Sequence, residues 1–277
     1  MPTLTEEILA LTARTRVVDL GRPYVAGMPQ SPNHPVYTHA LVRRHGDAIR
    51  FDGGSAANDL IVLGTHVGTH IDALAHVSHD GLLHGGRSAD EAQRGGRFTE
   101  GGVDQVQPGL VRGVLLNVPE ALGLDACEPG FAITAEILAQ TAKAQDTTLT
   151  TGDVVLVRSG WAQRWDDKTA YVGHDTGVPG PDESGATWLA SHGLRAVGAD
   201  TIAFEHLPAG SGHARLPAHR VLLVESGINI IETLDLEELA ATGSHEFPLL
   251  LSPLNLVGAT GAPVRPLALV PLDAGGA

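Results

Sequence analysis

The chain is poor in cysteine, in aromatic residues and in basic charge, and each scarcity narrows what it can be. Cys127 is the sole cysteine among 277 residues, so an intramolecular disulfide and cysteine-based zinc sites are both excluded. Lysine and arginine total 18 against 32 aspartates and glutamates, a net charge of −14. No basic cluster is longer than Arg43-Arg44, whereas binding a phosphate backbone requires a basic stripe. A nucleic-acid partner is not expected. Aromatic residues make up 4% of the chain, too few to announce an aromatic ligand box. No window approaches the roughly 18 uninterrupted apolar residues of a membrane span. The opening "MPTLTEEILALTARTRV" carries two glutamates where a signal peptide needs a basic region and an apolar run. The expectation is a soluble cytoplasmic protein with no membrane partner.

Glycine is abundant, yet the usual glycine motifs are missing. There is no G-x-x-x-x-G-K-[ST] and no G-x-G-x-x-G after a strand, so phosphate cradles are not indicated. Ser159 in "VRSGW" and Ser226 in "VESGI" each lack the first glycine of a nucleophile elbow, which disfavours serine hydrolase chemistry.

Runs rich in Val, Ile and Leu predict buried strands at 113–118, 153–159, 194–200 and 248–258. Another lies at 263–270, where the prolines favour a sheet edge. Helical patterns fall between them. One spans 134–145, with Ile137, Leu138 and Thr141 at helical spacing. A second spans 183–193 and stops at Gly193; a third spans 235–243, with Asp235 and Glu238 at capping-box spacing. Glycine-rich 79–102 reads as a surface excursion, and 164–183 as a long irregular segment with Trp165 and Tyr171 available as a cover. With no linker and no repeat, the expectation is one α/β domain over 1–277.

What the chain does have is "GTHVGTHIDALAH" at 64–76, with three histidines and an aspartate. Glycines, threonines and β-branched residues argue against a helix there. In an extended chain His66, His70 and Asp72 project from one face, while Val67, Thr69 and Ile71 pack on the other. Gly68 between the histidines would leave room for an ion. Two imidazoles and a carboxylate suit Zn²⁺, Mn²⁺ or Fe²⁺ and leave positions open for water and substrate. A short helix opening near Asp72 and ending at Gly81 would set His76 one turn on, where a proton donor is useful. His79 and His84 read as surface or supporting residues. In "LPAHRVLLVESGINIIETLDL", Glu232 closes a run of isoleucine, which is unusual for a carboxylate unless it is paired or metal-bound; His219 precedes an apolar run. Alone, each reads as structural.

The stretch "HVGTHIDALAH" resembles the H-x-G-T-H-x-D-x-P-x-H signature of the metal-dependent cyclase-like hydrolases, the family of bacterial kynurenine formamidase and isatin hydrolase. "VVDLGRPYVAGMPQSPNHP" (17–35), "VLVRSGW" (155–161), "VGAD" (197–200), "PAHRVLLVESGINIIETLDL" (217–236) and "SPLNLVGATGAPVRPLAL" (252–269) are similar to further blocks in order. The resemblance implies an α/β fold around a central mixed, β-barrel-like sheet flanked by helices, assembled as a homodimer or homotetramer. It implies His66, His70 and Asp72 as ligands of a first metal and His76 as the catalytic histidine. Asp72 would bridge to a second ion held by His219 and Glu232, so the cofactor is one or two divalent ions, Zn²⁺ or Mn²⁺. Leu74 stands where the signature has proline.

The implied reaction is hydrolysis of an amide C–N bond in a small molecule, a formamide such as N-formylkynurenine or a cyclic amide or imide. Water activated at the metal would attack, with His76 shuttling the proton. Two other readings remain open. His70-x-Asp72 with a distant histidine such as His219 matches the facial triad of non-haem iron oxygenases, usually carried on an all-β jelly roll. A metal- or ligand-binding protein without catalysis would use the same residues.

Overall fold

The central strands of this chain are apolar at nearly every position, so they are buried on both faces and need layers on both sides. The computed structural model describes residues 2–272. Its main sheet contains β1 (Thr15–Asp19), β2 (His70–Asp72), β3 (Gly109–Asn117), β4 (Val154–Arg158), β5 (Ala196–Ala199), β6 (Asn229–Glu232), β7 (Glu246–Leu251), β8 (Gly261–Pro263) and β9 (Leu267–Pro271). The order across the sheet is β1-β9-β7-β3-β4-β5-β6-β2-β8. β3 to β6 run parallel, and the remaining pairs are antiparallel. The sheet curls into a half-barrel flanked by helices, the α/β architecture expected from the sequence.

Helices Ala135–Ala144 and Glu183–Ala190 carry the chain from β3 to β4 and from β4 to β5. Between β5 and β6, Pro217–His219 continues into a π-helical stretch, Arg220–Glu225. Alternation along β4 assigns its side chains to two cores. Val155 and Val157 face the helices, against Leu138, Leu189 and Leu222. Val154 and Leu156 face the inside of the curl, with Leu115, Ile71 and Ile231. Cys127 is buried in the helix-side core.

Several local expectations need correction. The 263–270 run is not one edge strand: β8 is the edge at one end of the sheet, and β9 lies inside the other end, between β1 and β7. The residues from Val264 to Pro266 leave the ladder between them, so the chain can cross the curl and serve both ends. The 248–258 run stops at Leu251. The helix near 235 starts at Glu237 without a capping box, because Arg22 holds Asp235 at 2.8 Å and Arg16 pairs with Glu238. Tyr171 covers no opening. It is fully buried, and its hydroxyl donates to the Asp200 carbonyl at 3.0 Å.

One element has no core of its own. The hairpin Thr38–Arg43 with Asn58–Val62 is exposed at every strand residue on both faces. The N-terminal helix Leu4–Thr12 also buries nothing. Among the described residues no helix is long and apolar enough to cross a membrane.

Candidate metal centre

Strand register gathers the first part of the site. β2 is three residues long, so His70 and Asp72 point to one side and Ile71, fully buried, points into the inner core. Antiparallel pairing sets Glu232 of β6 directly opposite His70. The His70 Nε2 atom lies 3.4 Å from both Asp72 Oδ1 and Glu232 Oε2. His219 enters from the helix before β6, with Nε2 3.2 Å from Glu232 Oε1 and 3.7 Å from Asp72 Oδ2.

His66 and His76 complete the cluster from turns. Residues 65–69 form a turn rather than the extended chain expected. Gly68 has φ +64°, a left-handed conformation that favours glycine, and a Cβ there would meet the Tyr24 ring at 2.8 Å. The glycine therefore makes room for Tyr24, not for an ion. The Tyr24 hydroxyl lies 2.8 Å from the carbonyls of Val67 and Thr69 and pins the turn. Val67, Thr69 and Ile71 are buried as expected.

The helix expected after Asp72 is absent. Ala73–His76 is instead a tight turn, closed by the His76 amide donating to the Ala73 carbonyl at 2.9 Å. Leu74 takes the second position of that turn, where a proline's fixed φ is favoured and leucine is accommodated. The turn folds His76 back onto His66, their rings stacked with centroids 3.8 Å apart. His79 is exposed, and His84 Nδ1 is 2.9 Å from the Val224 carbonyl.

The six site residues expected from the sequence thus stand in one cluster, partitioned differently from the expectation. His70, Asp72 and Glu232 form one set with ligand atoms within 4.8 Å of one another; His66, Asp72 and His76 form another. Asp72 belongs to both. His66 Nδ1 is 2.6 Å from Asp72 Oδ1, and its Nε2 is 2.8 Å from Thr260 Oγ1. His70 Nδ1 lies 2.8 Å from the Gly68 carbonyl, which leaves Nε2 as its donor atom towards the cluster.

The electrostatics follow from burial and pairing. Burial alone would lower His70 and His219, but their carboxylate neighbours outweigh it and hold each at about 10. Burial would raise Glu232, and Asp72 beside it adds to that, yet His219 and His70 bring it down to about 2. Asp72 is also held well below its ordinary value, its desolvation outweighed by His76 and His66. His76 goes the other way. Burial pushes it down to about 4, so it is neutral at pH 7.

The donor set fits a divalent cation. His70 Nε2, Asp72 Oδ2 and Glu232 Oε1 are buried polar atoms without a hydrogen-bond partner. Buried polar groups are ordinarily satisfied, and three orphans of ligand type in one buried cluster are what an ion would satisfy. Imidazole and carboxylate donors suit Zn²⁺ and Mn²⁺ alike.

Sequence reasoning missed several supporting residues. Thr260, on His66 Nε2, lies 194 residues away in the chain. Gly261 adjoins the same ring; a Cβ there would meet His66 Cε1 at 2.7 Å and the Ile71 carbonyl at 2.8 Å. Gly261→Ala is therefore expected to cost about 1–3 kcal/mol by overpacking and to displace His66. Denaturant unfolding and metal titration of the variant check both effects. His34 stacks over His66 at 5.5 Å, and neighbouring Asn33 lines a 420 Å³ cavity with Ile202, Leu207 and His213. Burial lowers both His34 and His213, so neither is cationic at pH 7.

A curled α/β sheet closing around a histidine–carboxylate cluster defines the class: an α/β protein with a buried site suited to a divalent metal ion. The family model described as "Putative cyclase" matches residues 18–206, and the chain belongs to that cyclase family. Isatin hydrolase of Roseibium aggregatum is 29% identical over 224 residues, covering 79% of this chain and 77% of that protein. Kynurenine formamidase of Geobacillus thermodenitrificans is 29% identical over 215 residues, covering 77% and 80%. The crystal structure of a novel cyclase superposes with a TM-score of 0.83 at 27% identity, covering 96% of this chain and 93% of that one. Isatin hydrolase A of Ralstonia solanacearum superposes at 0.75 and 23% identity, covering 98% of each chain, a likeness of fold.

Proposed function

We propose that the chain is a metal-dependent hydrolase that cleaves an amide C–N bond in a small molecule, either a formamide such as N-formylkynurenine or a cyclic amide such as isatin. The observation that carries this reading is the trio of orphaned ligand atoms on His70, Asp72 and Glu232 beside a neutral histidine, His76. The cluster takes one or two ions, Zn²⁺ or Mn²⁺. A bound divalent ion supplies Lewis-acid activation of water and of the scissile carbonyl. Asp72 and Glu232 offset the dication's charge, and the Gly68 carbonyl keeps His70 in the tautomer whose Nε2 faces the site. His76, neutral and stacked on His66, accepts a proton at a ring nitrogen and returns it to the leaving nitrogen. The 420 Å³ cavity lined by Asn33, Ile202, Leu207 and His213 admits a molecule of one or two rings.

The test is a screen of formamides, lactams and imides with Zn²⁺- and Mn²⁺-loaded protein, with bound metal quantified on the same samples. Metal-dependent release of an amine or ring-opened acid is the expected result; inert, fully loaded protein would sink the reading. An oxygenase reading presumes an all-β jelly roll, and the sheet here is α/β with parallel central strands. Turnover that persists under nitrogen removes it.

The reading extends to assembly as a homodimer or homotetramer. Leu41, Val42, Phe51, Leu60, Ile61 and Val62 all lie exposed on the hairpin arm. A two-stranded hairpin is marginal in water without a covered face, and a second copy of this chain is the partner assigned to it. Replacing Leu60 and Ile61 by serine is expected to reduce the light-scattering mass to that of one chain. An unchanged oligomer, or a wild-type monomer, would count against the arm as the interface.

A further inference from the structure

Glu205 was not singled out by the sequence, yet it is 1% exposed and sits behind one of the cluster's histidines. Its Oε2 accepts the His219 backbone N–H at 3.0 Å and lies 2.9 Å from His219 Nδ1. Its Oε1 accepts the Ala218 N–H at 3.3 Å. A buried carboxylate is costly unless paired, and among the described residues its ion-pair partner is His219. The backbone that presents it is constrained too. Phe204, just before it, has φ +57°, and a Cβ on Gly180 would meet the Glu205 carbonyl carbon at 2.5 Å.

The three histidines that face the cluster through hydrogen-bonded rings are held differently. His70 leans on a backbone carbonyl and His66 on the Thr260 hydroxyl, whereas His219 has the side-chain carboxyl oxygen of Glu205 behind Nδ1. A proton on Nδ1 shared with that carboxylate leaves Nε2 as the lone-pair donor. Nε2 is the atom 3.2 Å from Glu232 Oε1 and 3.7 Å from Asp72 Oδ2. A carboxylate behind a metal-binding imidazole fixes its ring and raises its donor strength.

We propose that Glu205 is a positioning residue that fixes His219 as a strong Nε2 donor and so sets metal affinity at the His219–Glu232 corner. This rests on the reading of His219 as a ligand. The test compares Glu205→Gln, Glu205→Ala and His219→Ala with wild type. Zn²⁺ affinity is read by chelator competition, and the Co²⁺-loaded proteins are read by their visible absorption bands. Far-ultraviolet circular dichroism and melting temperature of the metal-free proteins monitor the fold.

Glu205→Gln is nearly isosteric and keeps an acceptor for the ring. It is expected to weaken Zn²⁺ binding at that corner about 10–100-fold and to shift the Co²⁺ bands while the metal-free fold persists. Glu205→Ala should weaken it further, towards His219→Ala. Wild-type affinity and bands in Glu205→Gln and Glu205→Ala, with only a lower melting temperature, would reduce Glu205 to a support for the helix start and overturn the proposal. That result with His219→Ala still deficient leaves the ligand reading standing; wild-type behaviour of His219→Ala overturns both.

Discussion

Asp72→Ala is expected to lose metal binding and to lose hydrolysis by on the order of 10³-fold or more, the scale of several kcal/mol of metal-derived stabilisation. Asp72 is fully buried and is shared by both ligand groups. It lies 2.6 Å from His66, 3.4 Å from His70 and 3.7 Å from His219. Metal analysis after dialysis, with kcat/KM measured alongside, checks the result; a variant that retains a full complement of ion would refute Asp72 as the shared ligand.

The buried carboxylates also govern the pH dependence of loading: Asp72 and Glu232 raise His70, and Glu205 and Glu232 raise His219. His70 and His219, held at about 10, are protonated at pH 7 in the metal-free chain, and an ion must displace those protons. Apparent metal affinity therefore rises with pH across 6 to 9, about tenfold per unit for each proton displaced. Calorimetry in buffers of different ionisation enthalpy counts the protons, and a count of zero contradicts the pairing. Stability of the metal-free chain has the opposite dependence at high pH. The raised histidines contribute fully below about 6.5, and that contribution is lost as pH rises through about 10. Glu232, lowered to about 2, contributes above about 4.5 and ceases to as pH falls through about 2.

His76→Ala is expected to separate chemistry from binding. Loss of a proton carrier costs about 10²–10⁴-fold in kcat, while the orphaned donors on His70, Asp72 and Glu232 remain in place. The variant should keep its metal and lose turnover. Burial pushes His76 down to about 4 in the metal-free protein, so in the proposed reaction it would start neutral at pH 7 and act first as base, then as acid. Metal content settles the matter: loss of the ion in His76→Ala would make His76 a ligand, as its place in the group with His66 and Asp72 permits.

The α/β class was legible because the strands at 113–118, 153–159 and 194–200 are short runs centred on Val, Leu and Ala and separated by helical patterns. The histidine stretch was legible because its composition is improbable for anything that merely packs. Local conformation was less so. Gly68 read as space for an ion, because spacing cannot say which neighbour fills the room; the neighbour is Tyr24, 44 residues earlier. A helix after Asp72 read well from its residues, but the fold needs a tight turn there to bring His76 back over His66.

By itself, then, the sequence determined the layered α/β architecture and marked His66, His70, Asp72 and His76 as candidates, since both are written in local chemistry: apolar periodicity and residue type; His219 and Glu232, read alone, looked structural. Only the tertiary structure decided how those donors are grouped. The His70–Glu232 pairing comes from antiparallel register between β2 and β6. Thr260, Gly261 and Glu205 reach the cluster from segments whose distance along the chain carries no signal of contact. Register and long-range packing are properties of the whole core, in which one strand's choice of partner depends on every other strand's burial.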